Sequence, residues 1–164
     1  MAVPTLSDVD ESKRLEVVYK LDILDTPSDP KFDEITKEAL KLLNVPISTI
    51  TIMDKDREWF KSCQGMSIKE GPRDIAFCSY ALLAKDMFIV EDTYLDSRFK
   101  NNPYVTGFPF VRFYAGIALL DAVSGMAIGV FCVKDVVPRK FGLDEIGTFM
   151  QLAERAEELI NKSK

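Results

Sequence analysis

The stretch at residues 112–135 constrains this chain more than any other. It reads RFYAGIALL, then DAVSGM, then AIGVFCVKD. Two apolar runs rich in β-branched and aromatic residues flank a short turn carrying Ser124 and Gly125. That pattern predicts a β-hairpin. Both arms are nearly continuous in apolar residues, so both faces are expected to be covered and the hairpin belongs at the centre of a sheet. Gly116 and Gly129 interrupt the arms. Glycine inside a strand marks a bulge or a close approach. Here it predicts either close packing of a helix or a ligand pressed against the sheet.

The rest of the chain supplies helices at both ends. Residues 1–9 read as a loose lead-in. Ser7 and Asp8 are placed to cap a helix from about Val9 to Leu21, with Leu15, Val18 and Leu21 at helical spacing. Asp29 followed by Pro30 is a capping side chain with proline at the first helical position. The stripe Phe32, Ile35, Ala39, Leu42 and Leu43 then predicts a second helix, stopped by Asn44 and Pro46. Residues 47–53 and 57–63 read as two strands around the turn Asp54, Lys55 and Asp56. Residues 64–74 read as a loop longer than the usual connection, a place where function concentrates. A short helix is expected at 75–83, a short strand at 87–90 and irregular chain at 92–110. A last helix at 143–161 carries Leu143, Ile146, Phe149, Met150, Ala153, Ala156 and Ile160 on one face. Antiparallel strands between terminal helices predict an α+β fold, one sheet with helices on it.

Several function classes are disfavoured. The net charge of −5 argues against nucleic acid or an anionic membrane as the main partner. Histidine is absent, which removes the usual general base, metal ligand and pH switch. Three cysteines at irregular spacing make no disulfide framework and point to a reducing, cytoplasmic setting. No run approaches the ~18 apolar residues of a membrane span. A length of 164 residues is that of one domain, whose core needs no staple.

Residues 69–82, KEGPRDIAFCSYAL, concentrate the candidate chemistry. Asp74 is placed to cap the short helix. Cys78 lies near its first turns, where a helix dipole lowers a thiol pKa; the alternative is a cysteine that only packs. Cys63 and Cys132 fall in strands and read as core. Arg112 enters a buried strand and needs a partner, with Asp74, Asp92 and Asp96 as candidates, or else it faces an anionic or amide-bearing ligand.

These stretches resemble a known family. LDILDTP at 21–27, FDEIT at 32–36, DREWFKS at 56–62, PRDIAFCSYAL at 72–82, DSRFKNNPYV at 96–105 and the two arms of the hairpin together look like a GAF domain, the small-molecule sensor module of bacterial signalling proteins. The resemblance implies an antiparallel sheet of about six strands. Terminal helices would pack on one face, often as a dimer interface, with short helices and loops enclosing a pocket on the other. Carried over by motif, the pocket residues would be Arg73, Asp74, Phe77, Cys78, Tyr80, Asp92, Arg112, Tyr114 and Gly116. Relatives often carry histidine two positions after the cysteine of the FC motif; this chain has Tyr80 there.

The implied function is a non-catalytic sensor domain that binds a small molecule of unknown identity. It would form a homodimer through its terminal helices and signal to a possible separate output protein. Two other functions are compatible with the resemblance. One is a dimerisation scaffold with a vestigial pocket. The other resembles the free-methionine sulfoxide reductases, whose cysteine spacing is not reproduced by Cys63 and Cys78. No cofactor or metal is assigned by these residues.

Overall fold

The computed structural model describes residues 3–162. The lead-in expected at 1–9 therefore lies partly outside the described residues. Helix α1 spans Asp8–Leu21, and its cap is Ser7, whose hydroxyl accepts from the Asp10 amide at 3.2 Å. Helix α2 spans Pro30–Leu43, and the Asp29 carboxylate accepts from the Lys31 amide at 2.9 Å. Both helices end on a residue in the left-handed conformation, Asp22 and Asn44, each at φ 53°. Asparagine and aspartate tolerate that region better than most side chains.

Strands β1 (Ile47–Met53) and β2 (Arg57–Gln64) form the first hairpin. The segment expected to be a pure loop contains a three-residue strand β3 (Glu70–Pro72), paired with the start of β2. A tight helical turn at Arg73–Ile75 follows, and helix α3 spans only Cys78–Leu83. Asp74 therefore does not cap α3; Phe77 occupies that position without a side-chain cap. Strand β4 is Phe88–Val90, and the irregular segment holds two helical turns, a tight one at Thr93–Leu95 and α4, Pro103–Thr106. The central hairpin is β5 (Phe113–Leu120) and β6 (Ala127–Asp135), and the chain closes with helix α5, Leu143–Lys162.

The sheet has six strands in the order β3-β2-β1-β6-β5-β4, and every pairing is antiparallel. β6 and β1 are central, as the unbroken apolar run of β6 requires. Helices α1, α2 and α5 bury one face, where Phe131 packs on Phe149 at 5.1 Å and Phe113 on Phe141 at 4.9 Å. Alternation along the strands puts Ile50, Ile52, Phe113, Ala115, Phe131 and Val133 on this face. On α5, Phe149, Leu152, Ala153, Ala156 and Ile160 turn inward, whereas Leu143 is 88% exposed and Met150 lies half in solvent. The expected stripe was thus one flank too wide: Met150 sits about 100° around the helix from Phe149.

α1 is tied down by charge. Arg14 is only 1% exposed and donates to the Met53 carbonyl at 2.8 Å and to both oxygens of Glu11 at 2.9 and 3.0 Å. Arg73 reaches the same carboxylate at 2.6 Å. Burial alone would raise the Glu11 pKa; the hydrogen bonds from Arg14 and Arg73 outweigh it and draw it down to about 2. A carboxylate depressed in the folded state stabilises it fully above its unfolded value of 4.5, and that contribution fades as pH falls toward about 2. Urea unfolding should find Glu11→Gln less stable than the parent at neutral pH. Near about pH 3 the gap should narrow; an equal gap at both pH values would refute this linkage.

Candidate functional site

The opposite face of the sheet is covered by α3, α4 and the loops around them. Its centre is a row that runs across five strands: Cys63, Thr49, Cys132, Gly116 and Phe88 are successive register partners. A second row holds Lys134 and Tyr114 opposite one another. Above them pack Phe77, Cys78, Ala81 and Leu82 from the α3 region, with Phe99 and Val105 from the irregular segment. Phe77 stacks on Phe99 at 4.4 Å and lies 5.2 Å from the Tyr114 ring.

Gly116 is where the two expectations of the sequence can be compared. Its nearest neighbour is a side chain of its own strand. The space is taken by the ring of Tyr114, two residues earlier in the same strand, and an added Cβ would overlap its hydroxyl. Tyr114 lies flat along the sheet, fully buried, and donates to the Cys78 sulfur at 3.2 Å. Gly116→Ala should therefore destabilise the fold by about 1–3 kcal/mol through overpacking. A urea midpoint equal to that of the parent would show that Tyr114 moves aside freely.

This face also buries polar groups. The Cys132 sulfur meets the Thr49 hydroxyl at 3.0 Å, and Thr49 meets Thr51 at 2.8 Å. Glu58 is 2% exposed and its Oε1 has no hydrogen-bond partner among the described residues. Burial raises the Glu58 pKa, against the opposing influence of Lys134 and Cys78. Lys134 is 5% exposed. Burial alone would lower its pKa, but the field of Cys132 and Glu58 holds it above the usual value. Cys78 does not show the thiol activation expected at a helix start. The neighbouring Cys132, followed by burial, pushes its pKa well up. For Cys132 burial acts upward, and the influence of Cys78, Lys134 and Thr49 outweighs it, leaving this thiol below its usual value.

The residues expected to share one pocket divide into three groups. Phe77, Cys78, Tyr80, Tyr114 and Gly116 come together beneath α3, with Tyr80 stacked on Phe88 at 5.6 Å. Arg112 sits at the β4 side, gripping Asp92 at 3.0 Å and lying 3.6 Å over the Tyr94 ring. Arg73 and Asp74 sit at the other edge, where Arg73 is committed to Glu11 and the Asp54 carbonyl. Asp74 is exposed beside a surface cleft of about 460 Å³ that also borders Leu6 and Lys55. Arg73 and Arg112 therefore do not converge on one ligand position. Conversely, Glu58, Lys134, Thr49, Thr51 and Cys132 are polar groups of this face that motif reasoning missed. The available signals were Glu58 within the strand Arg57–Gln64 and Lys134 following the apolar run of β6.

A family model for the GAF domain matches residues 29–160. The chain belongs to the GAF domain family. This GAF domain is 42% identical over 139 residues to a cyclic di-GMP phosphodiesterase of Pseudomonas aeruginosa, an alignment that takes in 85% of the chain but only 23% of that protein. Among solved structures, the GAF domain of a phosphoenolpyruvate-protein phosphotransferase from Coxiella burnetii superposes with a TM-score of 0.65 at 14% identity, covering 93% of this chain and 95% of that one. A free methionine-R-sulfoxide reductase from Neisseria meningitidis superposes with a TM-score of 0.62 at 15% identity, covering 97% and 93%. At those identities the structural likeness shows the fold alone. Among the described residues no helix is long and apolar enough to cross a membrane.

Proposed function

We propose that this GAF domain is a non-catalytic sensor in signal transduction that binds a small molecule between the sheet and α3. Phe77, Cys78, Tyr80, Tyr114 and Gly116 would form the site. Arg73, Asp74, Asp92 and Arg112 would act at its rims, where they hold the covering segments. The observation that carries the reading is the alignment with the phosphodiesterase: a 42% identical segment occupies less than a quarter of a longer signalling protein. Occupancy would bias an output activity of that kind, in the same polypeptide or in a separate protein. A reducing cytoplasm suits its free thiols, Cys63, Cys78 and Cys132.

The test is a melting screen of the purified 164-residue protein against metabolites, alongside assays of cyclic di-GMP hydrolysis. A stabilising metabolite without hydrolysis is expected. Hydrolysis by this chain alone would replace the sensor with an enzyme. The meeting of Cys78 with Cys132 favours a second reading, a methionine sulfoxide reductase. Turnover of free methionine sulfoxide with a thiol reductant, abolished by Cys78→Ser, would establish it. We also propose a homodimer through the terminal helices, supported by Leu42 on α2 and Leu143 and Met150 on α5, all exposed. Light scattering that gives a monomer mass at high concentration would remove the dimer.

A further inference from the structure

We infer that the cleft along the outer edge of β2 is a site for a small neutral aldehyde, which Lys61 captures as a reversible imine. The site lies away from α3 and is independent of the sensor reading.

A cleft of about 500 Å³ runs beside β2, bordered by Pro27 and Asp33 on one side and by Met66 and Ile68 on the other. Its lining includes both Trp59 and Phe60, neighbours that face opposite sides of the sheet. The cleft therefore lies at the edge of the strand, not over either face. β3 pairs only with Arg57, Glu58 and Trp59, and the Phe60 amide is taken by the Lys69 carbonyl. On the β1 side, Ile50 pairs with Ser62 and Thr51 with Phe60, so Lys61 is the extra residue of a bulge. A bulge re-aims a side chain. Here it turns Lys61 and Ser62 together toward α2 and the loop before it. Lys61 Nζ donates to the Thr26 hydroxyl at 2.8 Å and to the Pro27 carbonyl at 2.7 Å, and Ser62 donates to Asp33 at 2.6 Å.

These partners suit an amine better than an ammonium. Lys61 is 8% exposed and enters none of the ion pairs of the described residues. Both of its hydrogen-bond partners are neutral acceptors. An ammonium has three N–H bonds to place. A neutral amine has two, which Thr26 and Pro27 satisfy, and its lone pair is left over as a nucleophile. The Phe32 ring, its centre 5.6 Å away, lies near the outer limit of about 6 Å for holding a cation. Burial also draws the Lys61 pKa down, against the fields of Asp29 and Asp33. Desolvated lysines of this kind form imines with carbonyl compounds.

The amine adds to the carbonyl carbon, and the proton it sheds goes to the new alkoxide. The carbinolamine then loses its hydroxyl, with the remaining nitrogen proton, as water, leaving a C=N bond. Ser62 and Asp33 line the cleft and offer a hydroxyl and a carboxylate to carry these protons. Asp25 and Glu70 also border it, so an uncharged aldehyde enters more readily than an anion. Capture has a structural result. The amine holds Thr26 and Pro27 with two N–H bonds; an iminium keeps one and an imine none. Capture therefore loosens the connection between α1 and α2.

The experiment incubates the intact chain with glycolaldehyde and cyanoborohydride at neutral pH and maps the reduced adducts by peptide mass spectrometry. Lys61 should react at least about tenfold faster than any other lysine, the gain in free amine from a pKa one unit lower. Its rate should level off as glycolaldehyde rises, because the aldehyde first binds in the cleft. Glyoxylate, an anionic aldehyde, should react there more slowly. Without the reductant, amide exchange at residues 22–29 should quicken with glycolaldehyde and recover when it is removed. Lys61→Arg keeps donors for Thr26 and Pro27 but forms no imine, so it should lose both the adduct and the exchange response. Adducts spread evenly over the lysines, or a rate at Lys61 that climbs without levelling, would overturn the site. Faster reaction with glyoxylate would overturn the neutral guest, and unchanged exchange at 22–29 in the adduct would overturn the loosening.

Discussion

Replacing Phe131 with alanine is expected to cost about 3–5 kcal/mol and to lower the melting temperature by roughly 10 °C. Phe131 is fully buried on the helix-covered face at the middle of β6, opposite Ile50 of β1 and Ile117 of β5. Its ring packs on Phe149 of α5 at 5.1 Å, so truncation opens a cavity between the sheet and the helix that closes the fold. The surrounding residues, held by strand pairing on both sides, cannot collapse into it. Phe131→Leu keeps most of the volume and should cost far less. Equilibrium urea unfolding of both variants measures the difference. A loss below about 1 kcal/mol for alanine would mean that α5 is not anchored here.

Arg14→Met should be nearly as damaging, at about 3 kcal/mol, although it lies on a surface helix of unremarkable hydrophobicity. The guanidinium satisfies the Met53 carbonyl at the end of β1, reaches the Ala127 carbonyl at 3.4 Å, and neutralises Glu11. Methionine can fill the volume but leaves the carbonyls bare and hands Glu11 to Arg73 alone. Lysine should not rescue it, because one ammonium cannot span the positions held by a planar fork of donors. Amide exchange should localise the effect to Asp8–Leu21 and the adjoining ends of β1 and β6. If exchange there is unchanged while global stability falls, Arg14 acts only through bulk packing.

Much of the fold was legible before the structure. The α2 cap needs only Asp29 and Pro30, and the central position of the hairpin needs only the apolar continuity of 128–133, because these are local or compositional properties. The short β3 at Glu70–Pro72 was not legible. Its residues have no strand propensity, and they pair because the edge of β2 is beside them. The same holds for Arg112, whose partner proved to be Asp92 among the aspartates in range.

What this sequence determined by itself was the α+β class, the central hairpin, the terminal helices and the family motifs, because periodicity, capping and turn chemistry act over a few neighbouring residues. Only the tertiary structure decided what faces what. It laid Tyr114 over Gly116 and separated Arg73 from Arg112. The physical reason is register. A strand shows its side chains to alternate faces, but which residue of another strand lies beside them depends on pairing across the whole sheet, and the bulge between Ile50 and Thr51 shifts that pairing in a way no local pattern records.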